Sequence, residues 1–279
     1  MAVFFFFSGY GLQKSYILSA TYQKQYLRRR ILPILLTYTV VTALFWGMYA
    51  IGGQVYSFGE VISAIIHGSP IVDFSWYIII ILVFYIVFWL LMILCKDNYV
   101  GMIIGAGVWY LLHVIFCIIM GYGTWWYNTS HILIVGMIFA TFEEKITDCF
   151  KKHYYVLASL FFGAFAFLFF AGNALISFTG VKDLSLVLKM VCALLFVFVV
   201  LAYTMKFEIG NPILAFLGKT SLEVYLVQGL LMSGLRSGIV YIQNETLWAL
   251  ATVLGSVALG ALIHFLLGIP LKKIKSAKK

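Results

Sequence analysis

Three consecutive arginines, Arg28, Arg29 and Arg30, stand in the stretch QKQYLRRRILP, Gln23 to Pro33. A guanidinium is a planar fork of donors that binds phosphate oxygens in pairs. A triplet placed where an apolar run begins has two readings. It is a topology anchor, with stems along the hydrocarbon and heads in water. Or it is an anion site at which a phosphorylated donor docks. Both stand open at this level.

Other groups able to do chemistry lie within apolar segments. His113 falls in the run 99–120 and His264 in the run 246–268. An ionisable group inside a hydrocarbon span is costly and often functional. The plainer reading is a neutral imidazole bonded to a neighbouring helix. The stretch GNPILAFLGKTSLEVYLVQG, Gly210 to Gly229, places Ser221, Glu223, Tyr225 and Gln228 close together. Ser221, Tyr225 and Gln228 follow at helical spacings and share a face. A polar face in a membrane lines a cavity or bonds across helices. Glu143 and Glu144 read as a solvated helix end. Cys95, Cys117, Cys149 and Cys192 are scattered, and no histidine spacing fits a metal, so neither a metal nor a bound cofactor is expected.

The elements that position these residues are membrane helices. Of 279 residues, 63% are hydrophobic and only 10% charged, with mean hydropathy +1.03. A soluble domain carries about 25% charged residues. The apolar runs are continuous rather than alternating, which selects helices over a barrel. The expected fold is all-α, a polytopic integral membrane bundle. Runs of spanning length fall at 31–51, 76–95, 99–120, 126–142, 154–172, 185–205, 221–236 and 246–268. That makes eight full spans. The run from Ala2 to Leu12 is a partial span, because a crossing needs about 20 residues. Residues 1–279 read as a single transmembrane domain. Within the connection 52–75, FGEVISAIIHG reads as a short interfacial helix.

The net charge of +9 follows from membrane topology rather than nucleic-acid binding. With the arginine triplet placed in the cytoplasm, every basic residue but Lys182, Lys189 and Arg236 falls on the cytoplasmic side. The C-terminus is then cytoplasmic and the N-terminus lies outside. Abundant Phe, Ile, Tyr and Lys fit an AT-rich bacterial genome.

FFFFSGYGLQKSY with YLRRRIL, and later NPILAFLGKTSLEVYLVQG, resemble the family 3 membrane acyltransferases, which include bacterial O-acetyltransferases of surface polysaccharides. DFSWYIIIILVFYIVFWLL is similar to a Trp-and-Tyr span of that family. The resemblance implies a fold of ten transmembrane helices and a chain that begins partway through the second. The family's first helix carries an arginine and a histidine essential for acyl transfer, and no position here matches either. Arg30 matches the first member of the family's Arg-x-x-Arg pair, but Pro33 stands at the second. Gln228 stands where many members have histidine.

The implied function is transfer of an acyl group, acetyl first, from cytoplasmic acyl-CoA to a hydroxyl of a surface or exported polysaccharide. Acyl-CoA, a carbohydrate acceptor and membrane lipid are the expected partners. Because the family histidine is unmatched, the chain as it stands is expected to be inactive, with a longer reading frame as the enzyme. A non-catalytic paralogue or a small-molecule transporter is the competing class.

The charge asymmetry makes a direct prediction. Reporter fusions after residue 30, within 145–152 and at 279 will report the cytoplasm. Fusions near Ser57 and Tyr122 will report the outside. Arg28 and Lys151 on opposite faces would overturn the assignment.

Overall fold

A computed structural model describes residues 1–19, 21–179, 182–208 and 210–276. Lys278 and Lys279, counted above with the cytoplasmic charges, lie outside them. The described residues form helices and no strand. In hydrocarbon every backbone N–H and C=O must find a partner within the chain, and a helix supplies it within one segment.

The helices, in order, are α1 (Ala2–Leu18), α2 (Tyr22–Tyr26), α3 (Leu32–Ile51), α4 (Phe58–Ile66), α5 (Trp76–Cys95), α6 (Tyr99–Ile119), α7 (Ile132–Thr141), α8 (Glu143–Lys152), α9 (Tyr154–Thr179), α10 (Lys182–Lys206), α11 (Pro212–Gly234) and α12 (Glu245–Ser276). Seven stretches among the described residues are long and apolar enough to cross a membrane: Tyr22–Ile51, Trp76–Cys95, Tyr99–Ile119, Tyr154–Gly172, Leu184–Lys206, Pro212–Gly234 and Glu245–Gly268. The chain is a helical, multi-pass membrane bundle.

Two boundaries differ from the sequence expectation. The helix expected near 221–236 begins at Pro212, where Asn211 caps it by accepting from the Leu214 N–H at 2.8 Å. The span expected at 126–142 is instead a 3-10 turn at Thr124–Trp126, a further turn, and the ten-residue α7. Ten residues rise about 15 Å, half the hydrocarbon thickness of about 30 Å. The sequence explains the shortfall. Asn128, Thr129 and Ser130 favour local side-chain bonds over helix, and Ser130 Oγ donates back to the Tyr127 carbonyl at 3.2 Å. The interfacial helix expected within 52–75 is present as α4. Ser57 and Glu60 close a capping box at its start, and Phe58, Ile62 and Ile66 form an exposed apolar stripe.

The chain clusters into two compact units, Met1–Gln25 with Val83–Ile209, and Tyr26–Leu82 with Gly210–Lys279. In the first, α1 lies along α7. Ala2, Phe5, Phe6, Gly9, Leu12 and Gln13 bury one face of α1. Two glycines set how closely the helices approach. A Cβ on Gly9 would overlap the Leu133 carbonyl, and one on Gly136 the backbone of Phe6 and Tyr10. Small residues at a crossing are how membrane helices gain contact when the surroundings are as apolar as the side chains.

In the second unit, α3, α11 and α12 pack together. Phe45 of α3 lies against Gly229 of α11, and Met48 against Gly234, so these two helices run parallel. α12 returns antiparallel, with Gly255 against Leu231 and Gly260 against Val224.

These contacts fix a prediction. Gly136→Ala forces a Cβ into backbone and will cost about 1–3 kcal/mol of stability. Gly163→Ala, where nothing lies within 4 Å, will be neutral or slightly stabilising. Unfolding followed in detergent will rank the two, and equal behaviour would refute the close crossing.

Candidate functional site

The three-helix body of the second unit gathers most of the polar groups that the sequence singled out. α3 grows out of a π-helical turn, Leu27–Ile31, that holds all three arginines. Pro33 accounts for this turn. It has no N–H to give, and its ring collides with the carbonyl four residues back. The wider turn relieves that collision, and the Leu32 N–H bonds to the Leu27 carbonyl five residues back. Arg28 and Arg30 are half-buried and Arg29 is exposed. π turns recur at functional positions.

Further along the body, Glu223 of α11 and His264 of α12 meet. His264 Nδ1 lies 3.1 Å from Glu223 Oε1. The Glu223 side chain is 9% exposed and the His264 side chain 46%. Glu223 Oε2 is buried with no partner. The Gly260–Val224 crossing holds the two backbones close enough for this bond.

Tyr225 faces elsewhere. Its hydroxyl donates to the Phe74 carbonyl at 2.6 Å, and its ring meets Tyr77 edge-on. Ser221 bonds back to the Gly218 carbonyl of its own helix, and Gln228 is half-buried. The expected face of Ser221, Tyr225 and Gln228 therefore does not converge on one point. Glu223, off that face, makes the long-range contact.

Sequence reasoning passed over the loop before α5. Asp73 Oδ2 accepts from Ser233 Oγ at 2.6 Å, and the Asp73 side chain sits over Gly229. Phe74 has φ 62°, a left-handed conformation that a side chain normally avoids. Tyr38 donates to Ser75 at 3.4 Å. The loop is thus tied to both α3 and α11. The signal available was the polar trio Asp73, Ser75 and Ser69 in an apolar region, without a glycine to betray the positive φ. Arg236, an exception to the charge asymmetry, pairs with Glu245 at 2.6 Å and lies over the Trp248 ring.

In the first unit, His113 has a structural role. Its Nε2 donates to the Trp126 carbonyl at 3.0 Å, and its ring stacks on Trp109. Tyr110, also on α6, donates to the Tyr127 carbonyl at 3.3 Å. Together they pin the turn that leads into α7. Glu143 is more than a solvated helix end. Lys14 Nζ lies 2.7 Å from its carboxylate, and the Tyr10 hydroxyl donates to it at 3.1 Å. Beside them is an open cleft of about 300 Å³ lined by Lys14, Thr141, Glu143, Glu144 and Lys145. Glu143 raises the Lys14 pKa by hydrogen bonding. Among the described residues no cluster of His, Cys, Asp or Glu is arranged to hold a metal.

Comparison with known proteins adds one finding. The model of the acyltransferase domain, family 3, matches residues 1–265. No curated protein and no solved structure gives a significant match.

The strained loop can be tested at its anchor. Tyr225→Phe removes the donor to the Phe74 carbonyl and will cost about 1 kcal/mol. Thermal unfolding in detergent will show the loss. An unchanged midpoint would mean that the bond does not hold Phe74 in place.

Proposed function

The chain belongs to the family 3 acyltransferases, and from that premise we propose that it is a membrane O-acyltransferase acting on sugars. It takes an acyl group, acetyl first, from cytoplasmic acyl-CoA. It delivers that group to a hydroxyl of a cell-surface or exported polysaccharide. The observation that carries this reading is the family match along 1–265.

Two features support it. The positive-inside rule puts the arginine end of the second unit in the cytoplasm, where acyl-CoA is found. There the π turn holds three consecutive arginines, of which Arg29 is exposed. The phosphates of a CoA fit such a cluster, since a guanidinium fork matches phosphate oxygens. The helices around the acyl group would keep bulk water from the thioester and limit its hydrolysis. The protein is then a multi-pass protein of a bacterial cell membrane with a cytoplasmic C-terminus.

The test uses the 279-residue chain in lipid nanodiscs with acetyl-CoA and methyl α-D-glucopyranoside as a simple acceptor. Thiol release and sugar ester formation are measured together. With the family histidine unmatched, no ester is expected from this chain alone, so the deciding readout is donor binding: saturable acetyl-CoA binding is expected, and its absence would overturn the reading. Replacing Arg28, Arg29 and Arg30 with Gln will weaken acetyl-CoA binding. A charge-assisted contact contributes about 1.5–3 kcal/mol, so at least about a tenfold rise in Kd is expected. Topology is checked in parallel by the fusions above. Unchanged affinity with intact topology would return the triplet to an anchor.

A further inference from the structure

We infer that the outer end of the second unit, around Tyr49, Tyr56, Asp73 and Phe74, is the acceptor site, and that it takes a pyranose ring of the surface glycan. The inference rests on the acyl-transfer reading and names where that reaction receives its sugar.

The place follows from topology. The helical run into α3 has the arginines at its cytoplasmic end. Tyr49 near its other end and the connection 52–75 then lie on the outer side, where a surface polysaccharide is met. All of these residues belong to one unit.

The residues are tied together. A Cβ on Gly229 would meet both Asp73 Cβ and Phe45 Cζ, at 2.7 and 3.3 Å. The Phe45 ring lies 6.3 Å from that of Tyr49, and Tyr49 meets Tyr56 edge-on at 5.4 Å. Trp46 Nε1 donates to the Tyr56 carbonyl at 2.9 Å and holds that loop against α3. The Asp73 carboxylate and the Tyr56 phenol both lie within electrostatic reach of the Tyr49 phenol.

A pyranose presents hydroxyls at its rim and C–H bonds on its faces. Small-molecule sites pair aromatic surface with a few placed polar groups. Asp73 Oδ2 is held by the Ser233 hydroxyl. Asp73 Oδ1 has no partner among the described residues and is not buried, so it is open to a hydroxyl donor. The Tyr49 phenol is likewise open and can donate or accept.

Phe74 is displayed rather than packed. Val72 and Ser75 on either side are buried, yet Phe74 is 43% exposed with φ 62°. Glycine is the residue that suits this backbone. The Tyr225 hydroxyl holds the turn by the Phe74 carbonyl. An aromatic that merely meets head groups needs neither a strained backbone nor a carboxylate beside it. A ring laid against one face of a sugar accounts for both.

The test titrates the chain in lipid nanodiscs with the methyl pyranosides of glucose, galactose, mannose and N-acetylglucosamine. Saturation transfer to the sugar protons gives Kd. Saturable binding of at least one is expected, with transfer strongest along one face of the ring. Asp73→Asn keeps the Ser233 bond through its amide oxygen and puts an amide nitrogen where Oδ1 was. Kd for that sugar should rise about tenfold. Phe74→Gly relieves the backbone, so the thermal midpoint should hold or rise while Kd rises at least about fivefold. Acetyl-CoA Kd should stay within about twofold in both variants. No pyranoside bound by the wild-type chain would overturn the site. So would a sugar Kd within about twofold of wild type in either variant, which for Phe74→Gly would make the ring a lipid contact. A wild-type chain that binds no acetyl-CoA is a separate result. It would overturn the acyl-transfer reading, and the acceptor role with it.

Discussion

The constraint on which this structure depends is that lipid gives an apolar side chain no reason to face inward. In water a leucine is driven into a core. In a bilayer it is equally satisfied outside, and large apolar residues such as Leu160, Phe162, Phe167 and Phe170 of α9 are exposed. Specific packing must come from elsewhere. Here it comes from close backbone approach at glycines and from a few polar pairs. Gly9 and Gly136 join α1 to α7, and Gly255 and Gly260 join α12 to α11. Glu223–His264 and Asp73–Ser233 then fix which face meets which.

This constraint also decides what could be read in advance. Hydropathy reports where helices lie, because it measures preference for lipid over water. The spans at 76–95 and 99–120 match α5 and α6 closely for that reason. Hydropathy does not report where a helix stops when the flanking residues are aromatic. Trp125, Trp126 and Tyr127 are apolar enough to extend a run, yet they form a turn, and α7 is short. Nor does it foresee a helix carried through charged sequence. The helical run into α3 begins at Tyr22 and includes all three arginines.

The candidate site was legible as a set of residue types and not as a set of contacts. Helical periodicity groups Ser221, Tyr225 and Gln228 on one face but does not say what lies opposite. Ser221 turns back to its own helix, while Tyr225 reaches the 73–75 loop. Glu223 and His264 were each conspicuous alone, since an ionisable group in a span demands a partner. Their pairing depends on the register of α11 against α12, and Gly260 sets that register. A glycine in a helix gives no sign of what will approach it.

Pro33 links the local and the functional levels. An α-helix advances about 100° per residue, so three consecutive arginines would fan around most of its circumference. A wider turn advances each residue by a smaller angle, so three consecutive positions span somewhat less of the circumference. Pro33 is thus the residue behind the π turn that holds all three arginines. The same helical run continues into α3, whose buried face of Thr37, Val41 and Phe45 packs into the α11–α12 body. The arginine turn and the face that packs into the α11–α12 body are therefore on one helical run, and the distance between them is set by the rise of a helix rather than by a loop.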